Sequence, residues 1–201
     1  MAIGTYTELQ AAVASWVHRS DLTSIIQDCI ALAEERFNRQ LRTRHQETAL
    51  ADTAIDASYQ IAIPANTVAV KRLWRVDGSL QYELQVETLG FVEARQGYGG
   101  LAASYSWGAS NWDFDGTGTV GGTLIRNIPP LSSNSTNWLL TGHPSAYLYA
   151  TLAEVMGHAR DTEGLALWEG RADGKIAEIN RIENRNAQSG PLRVRVNAYT
   201  P

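Results

Sequence analysis

The chain has 201 residues, of which 44% are hydrophobic and 19% charged, with a formal net charge of -4 and one cysteine. That composition excludes disordered and collagen-like chains and suits one folded domain, or one with an insertion. A chain this long buries about 70% of the surface its unfolded form exposes, so it folds without disulfides or structural metal, and the lone Cys29 points to a reducing compartment.

Taken in chain order, Thr5 and Glu8 have capping-box spacing, and Leu9, Ala12, Val13, Trp16 and Val17 then recur with helical period. Ser20-Asp21 offers the next cap, before a second, long helix with the apolar stripe Leu22, Ile25, Ile26, Cys29, Ile30, Ala33, Phe37 and Leu41, expected to run to about Arg44. Gln27, Asp28, Glu34, Glu35 and the arginines fall on its opposite face. After Glu47 the texture changes. Residues 59–63 alternate with period two, and residues 68–76 are rich in β-branched and aromatic side chains before the turn signal Asp77-Gly78, so the two segments read as paired strands. A short helix is expected from Thr88 through Arg95, then a Gly/Ser/Thr-rich loop over residues 96–123 with two strands at most, then a strand over residues 123–128 that stops at Pro129-Pro130. Helix returns at His143-Pro144 with Tyr147, Leu148, Thr151, Leu152 and Val155 in register. Asp161 caps a last helix whose stripe is Leu165, Trp168, Ala172, Ile176 and Ile179. The tail, Leu192, Arg193, Val194, Arg195, Val196 and Asn197, alternates apolar and polar residues and suits a strand only against a partner edge.

The reading is a mainly α fold: a helical bundle with an inserted small β-rich region and an extended C-terminal tail. Its expected parts are N-terminal helices over 1–50, the insertion over 51–135, C-terminal helices over 136–189 and the tail over 190–201. Residues 1–5 lack a basic, apolar leader, and no stretch of about eighteen apolar residues runs unbroken, so neither secretion nor membrane spanning is expected.

Charge is uneven along the chain: net -1 over residues 1–50, -6 over 51–170 and +3 over 171–201. Arg36, Arg39, Arg42 and Arg44 form a local basic patch without an interposed acid, a candidate for contact with DNA or a neighbouring subunit. The Gly116-x-Gly118-x-x-Gly121 spelling of a dinucleotide loop lacks a following helix and reads as a flexible turn. Asn111, Asp113, Asp115 and Gly116 match half of a calcium loop, but Gly122 stands where the bidentate Glu belongs. His18, His45, His143 and His158 show no zinc spacing, and neither a nucleophile elbow nor a phosphate-cradling Gly-Lys-Ser/Thr is present. No cofactor, metal or catalytic constellation is expected.

Several stretches, in this order, resemble the phage head-to-tail adaptor family: Thr5-Tyr6-Thr7-Glu8-Leu9, Arg19-Ser20-Asp21-Leu22, residues 30–39, Ile61-Ala62-Ile63-Pro64-Ala65, Ile128-Pro129-Pro130-Leu131-Ser132, Thr136-Asn137-Trp138-Leu139-Leu140 before His143-Pro144 with Tyr147-Leu148-Tyr149, and Gly190-Pro191-Leu192-Arg193-Val194. The resemblance implies a structural virion protein at the head-tail junction, assembled in the host cytoplasm. It would form a ring, typically a dodecamer, between the portal and a tail or nozzle protein, and line a channel for double-stranded DNA held non-specifically. Residues 192–197 would be the portal-docking segment, and the family has no catalytic residues to carry over. Its members usually place a strand pair ending in adjacent aromatics before the Ile-Pro stretch, where this chain has a Gly/Ser/Thr-rich segment with scattered Trp107, Trp112 and Phe114, as a diverged or shortened insertion would. A different class, a DNA-binding regulator using the Arg-rich helix, and a calcium- or sugar-binding module on residues 96–123 are the alternatives.

Overall fold

The structure is a computed structural model that describes residues 3–19 and 21–187. It is about 46% helix and 25% strand with two four-stranded sheets, which overturns the expectation of a mainly α bundle with a small insertion. The chain divides into two units, one of residues up to Arg44 together with those from Ile128, the other His45–Asn127.

In the first unit, helix α1 (Tyr6–Val17) starts at a complete capping box: Glu8 N donates to Thr5 Oγ1, while Glu8 Oε2 accepts from the Gly4 and Thr5 amides. Helix α2 (Thr23–Gln40) departs from expectation at both ends. Its cap position is Leu22, without a side-chain bond, because Asp21 is taken up by Arg19 at 2.6 Å. The helix stops at Gln40 instead of near Arg44: Leu41 turns extended yet stays fully buried, so the apolar stripe continues after the helical backbone has ended. Helix α6 seals that end, since Asn180 Nδ2 donates to Gln40 O and Asn180 Oδ1 accepts from Arg42 N.

Three further helices complete the unit once α3 of the other unit is counted in chain order: α4 (Trp138–Gly142), α5 (Pro144–His158) with proline in its first turn, and α6 (Thr162–Ala187), where Asp161 Oδ1 accepts from Gly164 N as a cap. Helix α5 is the hub. It packs against α1, α2, α4 and α6 and buries eight of its residues, among them Tyr147, Leu152 and Val155. Cys29 lies in this core as a small apolar residue, its thiol pushed up to about 11 by burial and by the charges of Glu154 and Asp28.

The second unit holds β1 (Glu47–Ala54), β2 (Gln60–Ala62), β3 (Thr67–Asp77), β4 (Leu80–Glu83), β5 (Gln85–Val86), α3 (Leu89–Arg95), β6 (Ser104–Trp107), β7 (Asn111–Phe114) and β8 (Thr119–Arg126). One sheet runs β1-β8-β3-β4 and the other β2-β7-β6-β5, both antiparallel except for the parallel β5–β6 pair. The segments expected to pair with each other, β2 and β3, lie in different sheets: Ile61 faces Trp112 on β7, while β3 pairs with β4 across the Asp77-Gly78 turn and with β8.

The expected loop over 96–123 is also corrected, because it contains β6, β7 and the first half of β8. Its glycines are there for close approach instead of flexibility. A Cβ on Gly121 would sit 2.5 Å from Asp52 Oδ1, and one on Gly122 would run into the Leu73 side chain, so only bare backbone lets β8 lie between β1 and β3. The aromatics expected to be scattered instead pair across the β6–β7 hairpin, Trp107 with Trp112 at 5.7 Å and Tyr105 with Phe114 at 6.2 Å between ring centroids. Both sheets contribute to one core that includes Leu73, Trp112, Phe114 and Leu124.

Candidate functional site

The four arginines do not share one face. Arg36 is nine-tenths buried, with 11% of its side chain exposed, and spans α2 to α6 by bonding Asp173 at 2.6 Å, with Glu169 at 3.6 Å. Arg42 lies beyond the helix, and its Nη1 donates to the Asn38 and Leu41 carbonyls, closing the α2 C-terminus. Arg44 opens a short 3-10 turn (Arg44–Gln46), where its backbone amide and guanidinium both face Glu183. Arg39 projects with 66% of its side chain exposed and pairs, among the described residues, with its i,i+4 neighbour Glu35 at 2.6 Å. Arg36 therefore ties α2 to α6 and Arg42 closes the end of α2, while Arg39, Arg42 and Arg44 are all exposed to solvent. The six tail residues 192–197 lie outside the described residues.

The half calcium loop is used internally. Asn111 and Asp113, on β7, exchange hydrogen bonds with the Gln60 side chain, while Asp115 accepts from the Ala103 and Ser104 amides and the Ser104 hydroxyl. Burial alone would raise the Asp115 carboxyl. Those three bonds and the Arg95 guanidinium instead hold it below the usual carboxylate range. After Gly116 and Gly118 the chain enters strand β8, so the glycine spelling precedes no helix N-terminus.

A buried polar cluster lies in the helical unit, and one of its members, Glu34, is expected from the sequence on the solvent face of its helix. Glu34, on α2, is only 7% exposed, and its Oε1 accepts from Leu131 N at 2.8 Å and from the Tyr147 hydroxyl at 3.1 Å. Asn137 completes it: Nδ2 donates to the Tyr147 oxygen at 2.7 Å and to Pro129 O at 2.8 Å, while Oδ1 accepts from Leu140 N and so caps α4. One turn further along α2, Asn38 Oδ1 accepts from Ile128 N at 2.8 Å. The chain from Ile128 to Asn137 has few backbone partners of its own kind, and the side chains of Glu34, Asn38 and Asn137, the first and last of them buried, supply them. Burial raises the Glu34 carboxyl, an effect only partly offset by its two donors, and burial beside that charge pushes the Tyr147 hydroxyl upward. The Tyr147 ring packs edge-on to Phe37 at 5.0 Å, fixing the hydroxyl between Glu34 and Asn137. The sequence did hold a signal for Glu34. It falls four residues after Ile30 and three before Phe37, on the stripe instead of opposite it.

The residues around this cluster, Ile128, Pro129, Leu131, Asn137 and Tyr147, belong to stretches that carry the adaptor resemblance. The SU10 adaptor protein family matches the chain over residues 4–195. The chain belongs to that family. No curated protein matches it. Members of the SU10 adaptor family are phage structural adaptor proteins, and the match runs through both units, from the α1 cap to the alternating tail. Among the described residues no group of three or more His, Cys, Asp or Glu is placed to hold a metal ion, and no helix is long and apolar enough to cross a membrane.

Proposed function

We propose that this SU10 adaptor is a ring-forming virion protein that sits at the head-tail junction, docks on the portal through residues 192–197 and offers its other end to a tail or nozzle protein. The observation that carries the reading is the family match over residues 4–195. Its work is mechanical: helical units pack side to side by a heterologous contact that closes under rotation, in a ring such as a dodecamer, and the ring holds packaged DNA behind it. The buried Glu34–Tyr147–Asn137 cluster supports such a role, because a fully bonded polar core resists deformation where a merely apolar one can slide. Arg39, Arg42 and Arg44 are the exposed members of their group and its candidates for touching double-stranded DNA or a neighbouring subunit, and such contact is non-specific and weakens steeply with salt. A DNA-reading helix would need all four arginines free, and the ties of Arg36 and Arg42 weigh against that alternative.

Mixing the chain with its purified portal and following sedimentation tests the proposal. A single large species that holds many copies of this chain per portal is expected, and it is lost on deleting residues 190–201. Separate sedimentation of portal and adaptor at every ratio would overturn it.

A further inference from the structure

Residues 80–87 hold an edge strand of each sheet in turn. Strand β4 ends the order β1-β8-β3-β4, strand β5 ends the order β2-β7-β6-β5, and only Leu84 separates them. Leu84 is buried, with its amide bonded to Leu73 O, so the segment is anchored at its middle while every residue of β4 and β5 is exposed. Along β5 the amides of Gln85 and Glu87 donate inward to Ala103 O and Tyr105 O, and by strand alternation the Val86 amide and carbonyl turn outward, unclaimed by β6.

Side chains on this edge alternate. Leu80, Tyr82 and Val86 are apolar and 57%, 44% and 62% exposed, and the positions between them are Gln81, Glu83, Gln85 and Glu87. Among the described residues neither Glu83 nor Glu87 has an ion-pair partner. Residues 80–87 contain neither lysine nor proline, two residues that commonly blunt an open edge. An edge of this kind accepts an extended segment whose side chains alternate apolar and basic.

This chain contains one. Leu192, Val194 and Val196 alternate with Arg193 and Arg195, the same period with the opposite charge. We propose that strand β4, at this edge, receives the C-terminal segment 192–197 of a second copy of this chain as an added strand, with one of Arg193 and Arg195 opposite Glu83 and the other, two residues along, within diagonal reach of Glu87. Free subunits thereby hold each other's portal-docking segment in an ordered, soluble form, and the portal must displace it.

The test uses the full chain without portal, so its failure leaves the portal-docking reading standing. One variant reverses the edge (Glu83→Arg with Glu87→Arg) and another the tail (Arg193→Glu with Arg195→Glu), and self-association is followed by sedimentation over a range of concentrations. Each variant alone should associate at least tenfold more weakly than the wild type, and an equimolar mixture of the two should recover association, since each edge then meets a tail of opposite charge. A monomeric wild type, variants that associate normally, or a mixture that does not recover would overturn the proposal. Because Glu87 is half-buried, hydrogen exchange on the unmodified chain gives an independent reading. Amides of residues 80–87 should exchange more slowly as concentration rises, and exchange that does not depend on concentration would contradict docking by a second copy.

Discussion

The helical unit gathers twenty-three buried residues into one core and turns Glu34, Asn137 and Tyr147 inward onto each other, whereas the sheet unit gathers nine. The described large apolar side chains left in solvent divide the other way, with eight in the sheet unit, among them Tyr82, Phe91, Tyr98 and Trp107, and four in the helical unit. A closed core with a hydrogen-bonded polar cluster makes a stiff body, and exposed apolar surface is the kind of surface on which other chains attach. The difference teaches that within one subunit the well-packed core and most of the exposed apolar surface fall on different stretches of sequence.

Breaking the closed side should have the largest effect. Asn137→Ala removes the α4 cap and two donors at once, and a loss of about 3 kcal/mol in denaturant unfolding is expected, with Tyr147→Phe costing about 1 kcal/mol because only the hydroxyl goes. In the sheet unit Gly122→Ala forces a methyl into Leu73 and should cost about 2 kcal/mol, whereas Gly100→Ala, with open space around it, should leave the unfolding midpoint where it is. The arginines sharpen the contrast within the helical unit. Arg36→Ala should lower stability by about 1 kcal/mol, and Arg39→Ala should change it by less than about 0.5 kcal/mol while reducing salt-dependent DNA retention in an assembled ring.

The smallest effect concerns pH. Burial raises the Glu34 carboxyl above its unfolded value, so the folded state holds that proton more tightly, and the group favours folding most below the ordinary carboxylate range and loses that contribution as pH rises through its folded value. Glu34→Gln should therefore be relatively less stable than wild type at acid pH and gain on it toward neutrality. Denaturant midpoints compared across pH 4–8 check this, and a difference that does not vary with pH would show that Glu34 carries no such burden.

The helices were legible because their stripes and caps are local. Thr5 with Glu8, Pro144 and Asp161 each mark an end that the structure keeps. Strand partners are set by residues far apart, so β2 and β3 were identified as strands but matched wrongly, and the Ala-rich β1, whose residues are mostly exposed, gave no alternation to read. Glycine misled twice over: Gly121 and Gly122 look like loop residues by composition, and in fact give β8 room between its neighbours. The arginine patch is visible as a cluster in sequence, but the helix ends at Gln40 and leaves Arg42 and Arg44 beyond it, so the four side chains take different partners. Glu34 was missed because charge was allowed to outweigh its place on the stripe, and the partners that make its burial tolerable come from about a hundred residues away.

Cryo-electron microscopy of the portal mixed with this adaptor tests the central claim most directly. The account predicts a closed ring of adaptor copies on the portal, with residues 192–197 of each copy in contact with it. Portal particles that lack an attached ring, or a ring whose residues 192–197 make no portal contact, would contradict it.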